Sequence, residues 1–158
     1  MRAVIQRVRR AQVIIDGRTV GQIGPGLVIF LGVRKGDGQE EVDWIAEKIA
    51  HLRIFEGDEG RMDRSVLEMR GEALVVSQFT LYGDVRKGRR PDFITAAGSL
   101  EAEPLYHRFV QGLAARGVPV QSGVFGARML VELENDGPVT LVVETGDRRS
   151  GTPDQSEV

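Results

Sequence analysis

The sequence has no cysteine, only two histidines, and aromatic residues at just 6% of its positions. The lack of cysteine excludes disulfides, thiolate nucleophiles and cysteine-ligated zinc, and it fits a reducing compartment. The histidines, His51 and His107, fall at flanking positions of amphipathic segments and read as solvated helix residues. No HExxH, P-loop, GxSxG elbow or dinucleotide fingerprint is present. No apolar run reaches the ~20 residues of a membrane span. The opening MRAVIQRVRR is basic but has neither the apolar core nor the cleavage site of a secretory leader. A cytoplasmic address without membrane association is the expectation. The net charge of −2 argues against a protein that grips a long duplex. It leaves room for binding a short single-stranded end.

What is present is ordinary globular material rich in turns. Hydrophobic residues make up 41% and charged residues 28%, and the 20 glycines point to many tight turns in a strand-rich fold. Val4, Gln6 and Val8 alternate with Ala3, Ile5 and Arg7, and Asp16-Gly17 marks a hairpin into a strand over 18–23. The run 27–33 is apolar throughout and predicts a strand buried on both faces. Val42, Ile45, Ile49 and Leu52 predict a helix within 39–53, and Leu105, Phe109 and Leu113 a second from about 104 to 116, with Pro104 in its first turn. Further strands are expected over 72–81, 118–124, 129–134 and 140–145, with a polar loop over 56–64. The expected class is α+β: a strongly curved antiparallel sheet or barrel-like core with two helices packed outside. Residues 1–146 form a single domain in this reading, and 147–158 a polar, frayed tail.

Two segments carry candidate chemistry. Ser77-Gln78-Phe79-Thr80-Leu81 places three hydrogen-bonding side chains at the end of an apolar strand, where Ser and Thr commonly just satisfy the backbone. Asn135-Asp136-Gly137-Pro138-Val139-Thr140 lies between two alternating stretches and taken alone is an ordinary hairpin loop. Together, SQFTL and NDGPVT resemble the paired signature of the D-aminoacyl-tRNA deacylases. The likeness extends to IQRV at the start, the glycine-rich region 21–33, RIFEGDEGRM at 53–62 and FGARM at 125–129, and ends near residue 146.

The resemblance implies a homodimer with its active site at the subunit interface, a carboxylic ester hydrolase acting on D-aminoacyl-tRNA at the 3′ acceptor end, and no metal or other cofactor. Ser77, Gln78, Phe79 and Thr80 then form the floor of the pocket, with the Phe79 N–H as oxyanion donor. Gly137-Pro138 becomes a Gly-cisPro element reaching in from the other subunit. It rejects L-aminoacyl groups and lets glycyl-tRNA through. Arg7 is either a surface or interface salt bridge or a guanidinium fork that holds that element, and Met129 is either a core residue or packs beside the site. The basic cluster Arg86, Lys87, Arg89 and Arg90 is a candidate contact for the terminal phosphates. The chemistry is consistent with the missing histidine: an ester is labile, and the adjacent ribose 2′-OH assists the attacking water. Two other readings stay open on the residues alone. One is a Thr80-dependent hydrolase that needs no RNA; the other is a non-catalytic RNA-binding module using Phe79, Tyr82 and the basic loop.

Overall fold

The computed structural model describes residues 1–146, so the tail expected over 147–158 lies outside the described residues. The organising element is β1 (Arg2–Ile15), a 14-residue strand that pairs along its length with three others. Its first half pairs antiparallel with β3 (Gly26–Gly32), and its second half with β2 (Arg18–Ile23) across the Asp16-Gly17 turn. Its other edge is covered by β8 (Leu130–Glu144). Beyond β3 come β6 (Glu72–Ser77) and β7 (Val120–Ser122), giving the order β2-β1-β3-β6-β7 with β8 on β1. The sheet curls until β2 meets β7: a Cβ on Gly21 would lie 3.0 Å from the Ser122 carbonyl oxygen. Glycine there lets two backbones approach.

At the centre of the sheet both faces are buried, and the sequence of β3 shows why. Leu27, Ile29 and Leu31 point into a core shared with the helices; Val28 points into a second core inside the curl, with Val13, Ile23, Leu74 and Val76. β6 alternates in the same way, Ala73 and Val75 outward and Leu74 and Val76 inward. The outer core is closed by α1 (Gln39–His51), through Val42, Ile45 and Ile49, and by α2 (Ser99–Ala115), through Leu105, Phe109 and Leu113. No helix among the described residues is long and apolar enough to cross a membrane.

The α+β class, the nearly closed sheet and the two outer helices match the expectation, while several details differ. The sheet is mixed: β3–β6 and β6–β7 are parallel, because the helices carry the chain back between them. Parallel pairing and burial on both faces go together. α2 begins at Ser99, and Pro104 lies within the helix. The polar loop contains a small hairpin, β4 (Phe55–Glu56) with β5 (Met62–Arg64). Residues 135–140 do not reverse the chain. β8 continues through them along a single partner, and the extra residues are absorbed as register shifts opposite Gln6–Arg10.

Candidate active site

The SQFTL segment changes conformation in mid-motif. β6 stops at Ser77, and the Gln78 N–H makes a last sheet bond to the Leu31 carbonyl at 2.8 Å. Phe79–Tyr82 then winds into one 3₁₀ turn, with Leu81 N–H donating to the Gln78 carbonyl at 3.3 Å and Gly83 N–H to that of Thr80 at 2.9 Å. Gly32 makes room beneath it, since a Cβ there would lie 3.0 Å from the Gln78 oxygen and 3.2 Å from Leu81 Cβ. Phe79 and Thr80 open the turn, so their N–H groups precede its first bonded amide. Such adjacent amides form a natural anion-stabilising pair. The Gln78 side-chain amide donates to the Thr80 hydroxyl. An amide has no basicity with which to activate that hydroxyl as a nucleophile. The histidines are exposed on the helices, beside Glu47 and Glu103 of their own turns.

The turn borders a cavity of about 570 Å³. Ser77, Gln78 and Phe79 form one wall; Gly98, Ser99, Ala102 and Tyr106 of α2 and its N-terminal approach form another; Phe125, Met129 and Val131 close the third. The lining is largely apolar. Tyr106 supplies a neutral hydroxyl that donates to the Val75 carbonyl at 2.9 Å. Burial pushes its phenol up to about 12, with a hydrogen bond to Ser122 pulling weakly the other way. Phe79 is 58% exposed, which rules out a core role in this chain; it meets Phe93 edge-on at 5.0 Å between ring centres. A separate groove of about 390 Å³ runs past Arg10, Gln12, Glu132 and Glu134. Four of its polar side chains are engaged in pairs, Arg10 with Glu134 and Gln12 with Glu132.

The Gly137-Pro138 segment is held by different means. The peptide bond between them is cis, both residues are exposed, and Gly137 has φ +118°. A Cβ at Gly137 would lie 2.5 Å from Arg7 Nη2 and 3.1 Å from Val139 Cγ2. Arg7 is only 6% exposed, because strand alternation puts it on the same face as Ala3 and Ile5. Its guanidinium donates through Nη1 to the Ile54 carbonyl at 2.7 Å and through Nε to the Asp136 carbonyl at 3.2 Å. Asn135 spans the bulge, its side-chain amide donating to the Arg7 and Val139 carbonyls, each at 3.0 Å.

The fold thus gathers Ser77, Gln78, Phe79 and Met129 around one cavity, with Thr80 in the adjoining turn, and gathers Arg7, Gly137 and Pro138 elsewhere. Ser77 faces Leu31, Leu31 faces Ala3, and Arg7 lies four residues further along β1. At about 3.3 Å per residue the two groups stand more than ~10 Å apart within one chain. The basic loop follows the turn in sequence and is pinched at its base by the Asp84–Asp92 bridge. Its members differ: Arg86 forks onto the Asp84 carboxylate and holds it down at about 2, whereas Lys87, Arg89 and Arg90 are exposed and form no ion pair among the described residues. Sequence reasoning missed Tyr106 and Phe93, a helix residue and a lone loop aromatic whose local signals are too common to mark a site. Asn135 stood in the NDGPVT segment, but only the structure shows that its side chain ties the bulge together.

Known proteins share this sequence pattern and fold. The family model described as D-Tyr-tRNA(Tyr) deacylase matches residues 4–144. A D-aminoacyl-tRNA deacylase of Thermomicrobium roseum is 54% identical over 98% of this chain and 100% of its own length. One of Thermus aquaticus is 53% identical over 94% of this chain and 97% of its own length. A solved structure titled c-Myc DNA Unwinding Element Binding Protein superposes with a TM-score of 0.88 at 41% identity, covering 92% of this chain and 99% of that one. Another, titled as a probable eukaryotic D-amino acid tRNA deacylase, has the same fold at a TM-score of 0.77 and 22% identity, covering 90% and 97%. With its two motifs set in the same barrel-like frame, this chain belongs to the D-Tyr-tRNA(Tyr) deacylase family.

Proposed function

We propose that this chain hydrolyses the ester of D-aminoacyl-tRNA, releasing free amino acid and tRNA, and that the 79–82 turn is its reactive centre. The observation that carries this reading is the pair of leading amides, Phe79 and Thr80, beside an apolar cavity large enough for a terminal nucleoside. Water attacks the ester carbon with help from the ribose 2′-OH. The Phe79 N–H then stabilises the developing oxyanion, a contribution of about 3–4 kcal/mol for one such donor. Ser77, Gln78 and Thr80 orient the ester, and Met129 helps to shape the wall. The apolar cavity accepts the terminal base, and Lys87, Arg89 and Arg90 meet the acceptor-end phosphates. That small basic patch is compatible with the net charge of −2.

Chiral selection rests in this reading on Gly137 and Pro138 of a second copy. The separation of the two motifs within one chain supports a homodimeric site, because neither half is complete without the other. Gly137 has no Cβ and is exposed, so its carbonyl can approach a substrate closely. The carbonyls of Gly137 and Pro138 capture the substrate amino group and fill the space an L side chain would need. Glycyl-tRNA has no side chain to exclude and is cleaved too. Such proofreading belongs in the cytoplasm, and residues 1–146 suffice for it as one domain.

The test compares D- and L-tyrosyl-tRNA with two substitutions at one residue. Phe79→Ala removes the ring but keeps the amide; Phe79→Pro removes the amide at a position where a turn tolerates proline. The D-ester is cleaved and the L-ester spared by the parent. Phe79→Pro loses about 10²–10³ in kcat while Phe79→Ala loses far less. Equal rates for the two variants would remove the amide from the mechanism.

A further inference from the structure

The reactive turn is gripped from the side by a residue that neither motif contains. Three strand ends stand in one row, with Gly32 of β3 opposite Arg2 of β1, and Arg2 opposite Glu144 of β8. Gly32 leaves the space in which the turn lies. Arg2 occupies the next place in the row and reaches over it. Its Nη1 donates to the Leu81 carbonyl at 2.5 Å, and its guanidinium carbon lies 4.8 Å from the centre of the Tyr82 ring. The Nε on the other side of the fork donates to the Glu144 carboxylate. One planar cation thus ties β8 to two consecutive residues of the turn. Its five donors in a rigid fork suit a guanidinium and not an ammonium.

We propose that Arg2 is a positioning residue for the deacylation step. It fixes the Leu81 carbonyl and the Tyr82 ring, and through them the direction in which the Phe79 and Thr80 amides point. This rests on the reading of the turn as the reactive centre. The turn needs such a hold because it has little of its own: it is a single 3₁₀ turn with no buried residue. Its long Leu81–Gln78 bond, at 3.3 Å, does little to define the amide direction. An oxyanion donor works only when it is aimed where the charge develops, and a misplacement of about 1 Å is enough to cost up to ~10²-fold in rate. Glu144 sets the guanidinium plane, and Tyr82 gives it a surface to lie on.

The decisive measurement is single-turnover and steady-state cleavage of D-tyrosyl-tRNA by Arg2→Met and Arg2→Lys, together with hydrogen exchange at the Leu81 and Gly83 amides. Arg2→Met lowers kcat about 10- to 100-fold with KM within about twofold, since the lost interaction acts on the transition state rather than on tRNA binding. The Leu81 and Gly83 amides exchange faster while those of β3 stay protected. Arg2→Lys keeps a charge and a donor and recovers only part of the rate. Should Arg2→Met melt below the assay temperature, Glu144→Gln, which loosens Arg2 from the other side, is read by the same two measures. Parental kcat, or unchanged exchange in the turn, overturns the proposal. Phe79→Pro and Phe79→Ala run beside it. If both keep the full rate, the reactive turn itself is refuted. If Phe79→Pro is inactive while Arg2→Met is parental, the clamp alone fails.

Discussion

The two motif segments are both breaks in regular structure, yet they are held in opposite ways. The 135–140 bulge is pinned from inside by Arg7, a nearly buried cation bonded to two carbonyls from different parts of the chain, with Asn135 tying its ends together. The 79–82 turn lies on the surface, has no buried residue, and is held by packing over Gly32 and by the half-exposed Arg2. Buried polar contacts are strong because the alternative is an unpaired group away from water. Exposed ones compete with solvent and leave adjustment possible. The difference suits the proposed division of labour. A wedge that sorts mirror images must not yield, whereas a turn that stabilises a transient charge must admit and release a large substrate.

The strongest way to break this contrast is Arg7→Met. It leaves the Ile54 and Asp136 carbonyls without their donor, and unfolding in urea should show a loss of about 2–5 kcal/mol. A loss near that of Arg2→Met would mean the two segments are held alike. Gly137→Ala comes next. The left-handed φ of +118° and a Cβ 2.5 Å from Arg7 Nη2 should together remove about 1–3 kcal/mol of stability. D-tyrosyl-tRNA cleavage should fall with it, and unchanged kinetics would separate this glycine from the chemistry.

The smallest effect is nil at neutral pH and sharpens the picture of the turn's surroundings. The chain's two tyrosines, Tyr82 beneath Arg2 and Tyr106 in the cavity, are both pushed up to about 12, chiefly by burial. In the unfolded chain phenols lose their protons near 10. The unfolded state therefore releases protons first as pH rises. The stability linked to the neutral rings is complete below pH 10 and is lost as pH climbs through about 12. Phenolate absorbance should stay low through pH 10 and rise with unfolding; ionisation near 10 in the folded protein would show that both rings are open to water.

Much of the fold could be read directly. The continuous apolar run of β3 announced burial on both faces, and the Asp16-Gly17 hairpin and the helical spacing around Ile45 and Phe109 fell where the chain has them. The errors lay where local pattern is blind to pairing. NDGP reads as a reversal because its residues favour turns, but β1 is long enough to pair with both flanks, so the chain goes straight on. The 72–81 run reads as one strand because its composition is apolar, but the strand ends at Ser77, where the chain turns over Gly32. Of the site, the two motifs, Asn135 included, were visible in the sequence, while Tyr106, Phe93 and Arg2 were not, since their significance comes only from what they touch.

The sequence by itself determined the class, the alternating faces, the family and the presence of two unusual segments, because periodicity, turn chemistry and motif spacing are local properties of the chain. Only the tertiary structure decided that Arg7 is buried, that Arg2 reaches the Leu81 carbonyl, and that the two motifs stand apart within one chain. Those facts depend on which strand lies beside which and in what register. Register is set by the packing of the whole sheet and by no single segment of it.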